Sequence, residues 1–136
     1  MTKEDLIKKA HQMRKYSYCP YSNFAVGAAL LTDSGEVFTG CNIENASYPA
    51  SCCAERTAIF KAVSSGQTNF KAIAIVGGKK GELPTDFAYP CGVCRQVMSE
   101  FCDENFEIIV ATSETNYKTF TLGELLPQSF GKKSLK

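Results

Sequence analysis

The chain has 136 residues, with 15 Lys plus Arg against 14 Asp plus Glu. So even a balance gives no field to hold nucleic acid or an anionic membrane, and no apolar run approaches the ~20 residues of a membrane span. The length suits one domain, residues 1–136, able to bury roughly two-thirds of its unfolded surface.

Seven cysteines, behind an opening Met1-Thr2-Lys3-Glu4-Asp5 that lacks the apolar core of a secretion signal, point to a reducing, cytoplasmic setting and to metal chemistry over disulfides. Thr2 followed by Asp5 forms a capping box, and Leu6, Ala10, Met13 and Ser17 recur behind it at helical spacing. His11, the only histidine, lies on this helix and is assigned no role. Pro20 pushes its predecessor out of α geometry, so Tyr18-Cys19-Pro20-Tyr21-Ser22-Asn23 ends the helix. Residues 24–31 read as a nearly continuous apolar strand, Asp33-Ser34-Gly35 as a turn, and residues 36–42 as the antiparallel return. Asn42-Ile43-Glu44-Asn45 falls at the end of that return; taken alone, its asparagines are turn residues and Glu44 a solvated carboxylate.

Ser51 or Cys52 is expected to cap a second helix reaching about 65–66, with Glu55, Ile59 and Ala62 on one face and Cys53 close to Arg56. Residues 70–76 read as a buried strand ended by Gly77-Gly78, and residues 77–89 as a long loop without an interpretable motif. A third helix spans 91–102, with an apolar stripe of Cys94, Val97, Met98 and Phe101. Residues 107–111 and 118–121 are strands joined by a polar turn, and 122–126 a short helix stopped by Pro127. The order predicts an α/β fold, a mixed sheet of five strands covered by helices on both faces. Its hairpin pairs are antiparallel, and strands joined through helices run parallel.

Two stretches carry chemistry. Cys53-Ala54-Glu55 is answered by Pro90-Cys91-Gly92-Val93-Cys94. Three thiolates with no fourth protein ligand make a zinc site of the open, catalytic kind, whereas structural sites close with four. Cys91 and Cys94 project from one side at the start of a helix, and Cys53 begins another, so two helix N-termini support the negative charge of the sulfurs. Cys52 competes for the ligand role, but adjacent helical residues point about 100° apart, and the phase of the motif, a ligand two residues before Glu, selects Cys53. Glu55 is then a proton carrier beside a metal-activated water that attacks C4 of a cytosine and releases ammonia. Arg56, one turn beyond Cys53, is placed to donate to the sulfurs and drain their charge. Cys19, Cys41 and Cys102 stand apart and read as small core hydrophobes.

With these motifs the sequence resembles the short-chain, zinc-dependent cytidine deaminases, nearly end to end. The likeness includes Phe24-Ala25-Val26-Gly27-Ala28-Ala29-Leu30, Gly40-Cys41-Asn42-Ile43-Glu44-Asn45-Ala46, Cys53-Ala54-Glu55-Arg56-Thr57-Ala58, Pro90-Cys91-Gly92-Val93-Cys94-Arg95-Gln96 and Leu125-Leu126-Pro127-Gln128-Ser129-Phe130. The metal motif alone marks only the deaminase superfamily; the Asn42-to-Asn45 run discriminates further. The resemblance implies a three-layer α/β/α sandwich and one Zn²⁺ per subunit. It implies that Asn42 and Glu44 hold the ribose hydroxyls, reversing their reading as turn and surface residues. Phe24 would pack on the pyrimidine, and the Ala54 amide and Glu55 would address the base edge. It further implies a homotetramer with shared active sites, Phe130 lying over a neighbour's base and Tyr48 near its ribose.

The expected substrates are cytidine and 2′-deoxycytidine, in pyrimidine salvage. A deaminase of a cytosine-bearing antibiotic such as blasticidin S is a second reading, against which Asn42 with Glu44 argues for a plain ribose. An editor of polynucleotide cytosines is disfavoured by the balanced charge. A non-catalytic zinc module would prefer a fourth Cys or His and would leave Glu55 dispensable.

Overall fold

The computed structural model describes residues 1–135. Helix α1 (Lys3–Met13) opens with the expected box: Thr2 Oγ1 accepts from the Asp5 amide at 3.1 Å, and Asp5 Oδ2 accepts from the Thr2 amide at 3.2 Å. A 3-10 turn, Arg14–Tyr16, follows. Then come strands β1 (Phe24–Thr32) and β2 (Val37–Cys41), helix α2 (Ala54–Ser64), strand β3 (Phe70–Lys79), helix α3 (Gly92–Phe101), strands β4 (Glu107–Ser113) and β5 (Asn116–Thr121), and helix α4 (Leu122–Leu125).

The five strands form one mixed sheet in the order β2-β1-β3-β4-β5, with β3 and β4 parallel and the other neighbours antiparallel. Since β2 and β3 both run antiparallel to β1, they share a direction. The helices that follow them, α2 and α3, therefore start from the same edge of the sheet, the carboxyl ends of those strands, where α/β folds gather their ligands.

Period-two alternation sorts the strands onto two faces. Leu30, Ile73, Ile75, Ile108 and Val110 point into one core with Ala58, Ile59 and Ala62 of α2 and Cys94 and Met98 of α3. Ala29, Ala72, Ala74, Val76, Ile109 and Ala111 face the other, against Leu6, Ile7 and Ala10 of α1. The result is the three-layer arrangement, α1 on one side and α2 with α3 on the other.

Several local expectations are corrected. Cys53, not Ser51 or Cys52, caps α2. Cys52 is held in an extended bridge, its amide donating to Ile43 O at 2.8 Å and its carbonyl accepting from Ile43 N at 2.9 Å. Gly77 and Gly78 do not end β3; they pair with Val26 and Ala25, and the strand runs on to Lys79. Their lack of side chains admits the following segment close against the strand, for a Cβ at Gly77 would stand 2.8 Å from the Ala88 Cβ and one at Gly78 2.9 Å from Pro84 Cα. Cys91 and Cys102 flank α3 as caps. On the first helix, Arg14 turns inward beyond α1, while Met13 is only half-buried.

Gly40 sets the seat of α2. A Cβ there would lie 2.6 Å from both Ala54 O and Ala58 N, the backbone of the helix's first turns. Gly40→Ala is expected to push α2 off β2 and lower stability by about 1–3 kcal/mol, as overpacking does. Urea unfolding measures it; an unchanged midpoint would contradict this account of the helix seat.

Candidate active site

The structure brings Cys53, Cys91 and Cys94 together, with all three Sγ atoms within 4.8 Å of one another. Cys53 Sγ stands 3.7 Å from Cys91 Sγ, and Cys91 Sγ 3.5 Å from Cys94 Sγ. These spacings are too long for a disulfide, whose sulfurs lie about 2.05 Å apart. They fit zinc: three sulfurs on a tetrahedral ion at the usual Zn–S length of about 2.3 Å stand about 3.8 Å apart. Cys52 lies outside the group and accepts from the Thr57 hydroxyl at 3.6 Å.

Local structure prepares the sulfurs. Cys53 and Cys91 are the N-caps of α2 and α3, neither side chain closing its own helix, and Cys94 sits on the first turn of α3. The first amides of a helix have no internal partners and carry partial positive charge, which favours thiolates. Hydrogen bonding from Cys94, then Arg56 and Cys91, pulls the Cys53 thiol down to about 5, while sharing with Cys53, then burial, pushes Cys94 up. Arg56 Nη2 donates to Cys53 Sγ at 3.5 Å and to Ser51 O at 3.4 Å, the one-turn contact expected from spacing. Arg95 secures the other arm, its Nε donating to Pro90 O at 2.8 Å and Nη1 to Leu125 O at 2.7 Å.

Glu55, on the first turn of α2, is 4 % exposed and stays outside the three-sulfur group. Burial pushes its carboxyl up to about 7; its own backbone amide pulls the other way and the Cys53 thiolate adds to the rise. Its side chain opens on a cavity of about 240 Å³, shared with Phe24, Asn42, Ala54, Cys53 and Cys91. Val26, Ile75, Ala88 and Tyr89 complete the walls. None of these four was named as a site residue from sequence; Val26 lies in the Phe24-to-Leu30 run of the likeness, Ala88 and Tyr89 run directly into Pro90-Cys91, and Ile75 carried no signal beyond its strand.

The remaining expected residues divide. Asn42 is in the cavity, but its side chain also prolongs the sheet: Oδ1 accepts from Val26 N at 2.9 Å and Nδ2 donates to Phe24 O at 2.8 Å. One amide hydrogen and one lone pair are left over. Glu44 is not in that cavity. Its carboxylate accepts from the amides of Tyr21 and Ser22 and from the Ser22 hydroxyl, and the hydroxyl bond, before the others, holds its pKa down. It lines a separate hollow of about 340 Å³ with Asn45, Tyr48 and Ser51. Tyr48 is 72 % exposed and Phe130 61 % exposed, and neither lines the cavity beside Glu55.

In sequence and in fold the chain is similar to known deaminases. Residues 1–110 match the family described as cytidine and deoxycytidylate deaminase zinc-binding region. A cytidine deaminase of Sporosarcina psychrophila is 44% identical over 99% of this chain and 96% of its own length. One from Halalkalibacterium halodurans is 47% identical over 96% and 95%. The crystal structure of cytidine deaminase from Burkholderia pseudomallei superposes with a TM-score of 0.86 at 45% identity, covering 96% of this chain and all (100%) of that one. A blasticidin-S deaminase of Bacillus cereus is more distant, 33% identical over 77% of this chain and 76% of its own. Matched in sequence over nearly its whole length and in fold, with three sulfurs gathered as a zinc site requires, this chain belongs to the cytidine and deoxycytidylate deaminase zinc-binding family.

Proposed function

We propose that this protein hydrolyses cytidine and 2′-deoxycytidine to uridine and 2′-deoxyuridine with release of ammonia, residues 1–136 acting as one domain in cytoplasmic pyrimidine salvage. The observation that carries the reading is a buried carboxylate, Glu55, opening on the same cavity as the gathered sulfurs Cys53 and Cys91. Cys53, Cys91 and Cys94 would hold one zinc ion, which when bound supplies the Lewis acidity that makes water nucleophilic near neutral pH. Water's oxygen joins C4 as Glu55 takes one of its protons and gives it to the ring nitrogen beside C4. Glu55 then carries the proton of the new C4 hydroxyl to the exocyclic amine, the bond from C4 to that amine breaks, the C4 carbonyl forms, and ammonia leaves. Arg56, already donating to Cys53 Sγ, lowers the charge that three thiolates would press upon the metal.

The other residues orient the nucleoside. Phe24, Val26, Ile75 and Tyr89 give the base flat or apolar walls. The Ala54 amide, in the first turn of α2, is free of an intrahelical partner and suits the base edge. Asn42 has one donor and one acceptor to spend on a sugar hydroxyl. Glu44 retains one acceptor site of about four and holds the turn at Tyr21 and Ser22. Exposed Tyr48 and Phe130 suit a homotetramer in which each reaches a neighbour's ribose and base.

Blasticidin S is a weaker candidate because its deaminase is the more distant relative. A purely structural zinc module would leave the buried Glu55 carboxylate without a purpose.

An ultraviolet assay with cytidine tests the proposal. Glu55→Gln should retain zinc and lose about 10²–10⁴-fold in turnover, the usual worth of a general acid–base; full activity in that variant sinks the assignment. In the same assay Arg56→Gln should keep zinc but turn over more slowly. Metal analysis should find zinc lost in Cys53→Ala and kept in Cys52→Ala, and the reverse result would reassign the ligand. Gel filtration should give a tetramer, whereas a fully active monomer rules out sharing through Tyr48 and Phe130.

A further inference from the structure

Residues 80–89 carry Ala88 and Tyr89 into the cavity wall, yet little packs around the first half of the segment. Open space flanks it on both sides, about 510 Å³ between it and the end of α1 and about 340 Å³ between it and Phe24. Hydrogen bonds from one buried cation cross the gap. Arg14, 7 % exposed, donates from Nε to Ala25 O at 2.9 Å and from Nη2 to Lys79 O and Glu82 O, each at 3.0 Å. Three backbone carbonyls on β1, on β3 and beyond β3 are thereby tied to one side chain, with no carboxylate within salt-bridge distance of it among the described residues.

The segment answers in kind. Lys80 Nζ donates back to Ser17 O at 2.9 Å, and the Lys80 amide to Asn23 O at 2.9 Å. Pro84 then lies over Gly78 and Ala88 over Gly77, where added Cβ atoms would collide. At its far end Tyr89 meets Phe120 edge-on at 5.9 Å, and Lys118 sits over the Phe87 ring. Beyond that, Arg95 fixes Pro90 independently.

We propose that Arg14 is a positioning residue: by clasping the start of residues 80–89 it seats Ala88 and Tyr89 against the substrate cavity, and so sets affinity for the base without touching the metal ligands. The proposal rests on the nucleoside reading above. It separates two effects. The Ala88 and Tyr89 part of the cavity wall depends on the clasp, while Cys53 and Glu55 belong to the start of α2 and Cys91 is held through Arg95.

The zinc-loaded full chain is compared as wild type, Arg14→Met and Arg14→Lys, by cytidine kinetics, zinc content and amide hydrogen exchange. Arg14→Met should raise KM roughly three- to tenfold, the worth of one or two lost hydrogen bonds, with kcat within about twofold. Zinc should stay at one per chain, and exchange should quicken at residues 80–89 but not in α2. Arg14→Lys, keeping a cation and fewer donors, should fall between. Unchanged KM and exchange would overturn the proposal, as would a joint fall of kcat, zinc and protection across the molecule. If Arg14→Met does not fold, Arg14→Lys carries the test alone and must show a raised KM with exchange quickened at residues 80–89, failing which the clasp is wrong. A wild type that does not deaminate cytidine would defeat the functional reading instead; exchange confined to residues 80–89 in Arg14→Met would then still decide for or against the clasp.

Discussion

Holding three cysteine sulfurs within a few ångströms of one another is the constraint to which the remainder of the structure answers. Thiolates repel at such separations, and a weakly screened interior magnifies the repulsion. The fold offsets it by aiming two helix N-termini at one spot and by placing the Arg56 guanidinium against Cys53. Those helices can converge only because β2 and β3 point the same way while β1 lies between them. The antiparallel first hairpin is thus as necessary to the metal site as the cysteines.

The two faces of the sheet differ in the side chains they present. Alanines at positions 29, 72, 74 and 111 face α1, and a Cβ at Gly27 would collide with Ala10 O, so that helix lies close; isoleucines at 73, 75 and 108 face α2 and α3. The second face carries the buried Glu55 and the cavity beside it. The first fixes α1, and with α1 the turn that presents Arg14.

Much of this was legible in the sequence because it is local or periodic. The capping box at Thr2 and the one-turn reach from Arg56 to Cys53 follow from helical geometry, and the choice of Cys53 over Cys52 from the motif's phase, a ligand two residues before Glu. The alternation in β3 and β4 follows from the pleat. What escaped depended on contacts distant in the chain. Gly77-Gly78 looks like a strand end until Ala88 and Pro84 are seen lying across it. Arg14 belongs to no motif, and its partners, the carbonyls at positions 25, 79 and 82, are scattered along the chain. Residues 77–89 have no periodicity, so nothing in their order announced that their last members would line the cavity. Glu44 was assigned to the sugar only by likeness, and its engagement with the turn at Tyr21 and Ser22 is a tertiary fact that spacing does not contain.

The small bridge between Ile43 and Cys52 has a wider meaning. Ile43 stands between Asn42 and Glu44, and Cys52 abuts the first ligand, so one pair of backbone hydrogen bonds joins the run that would grip a sugar to the helix that grips the ion. A shift at either end is passed to the other through that pair. The loop between them is thereby pinned at both ends, so its tip can vary in length while the two groups keep their spacing.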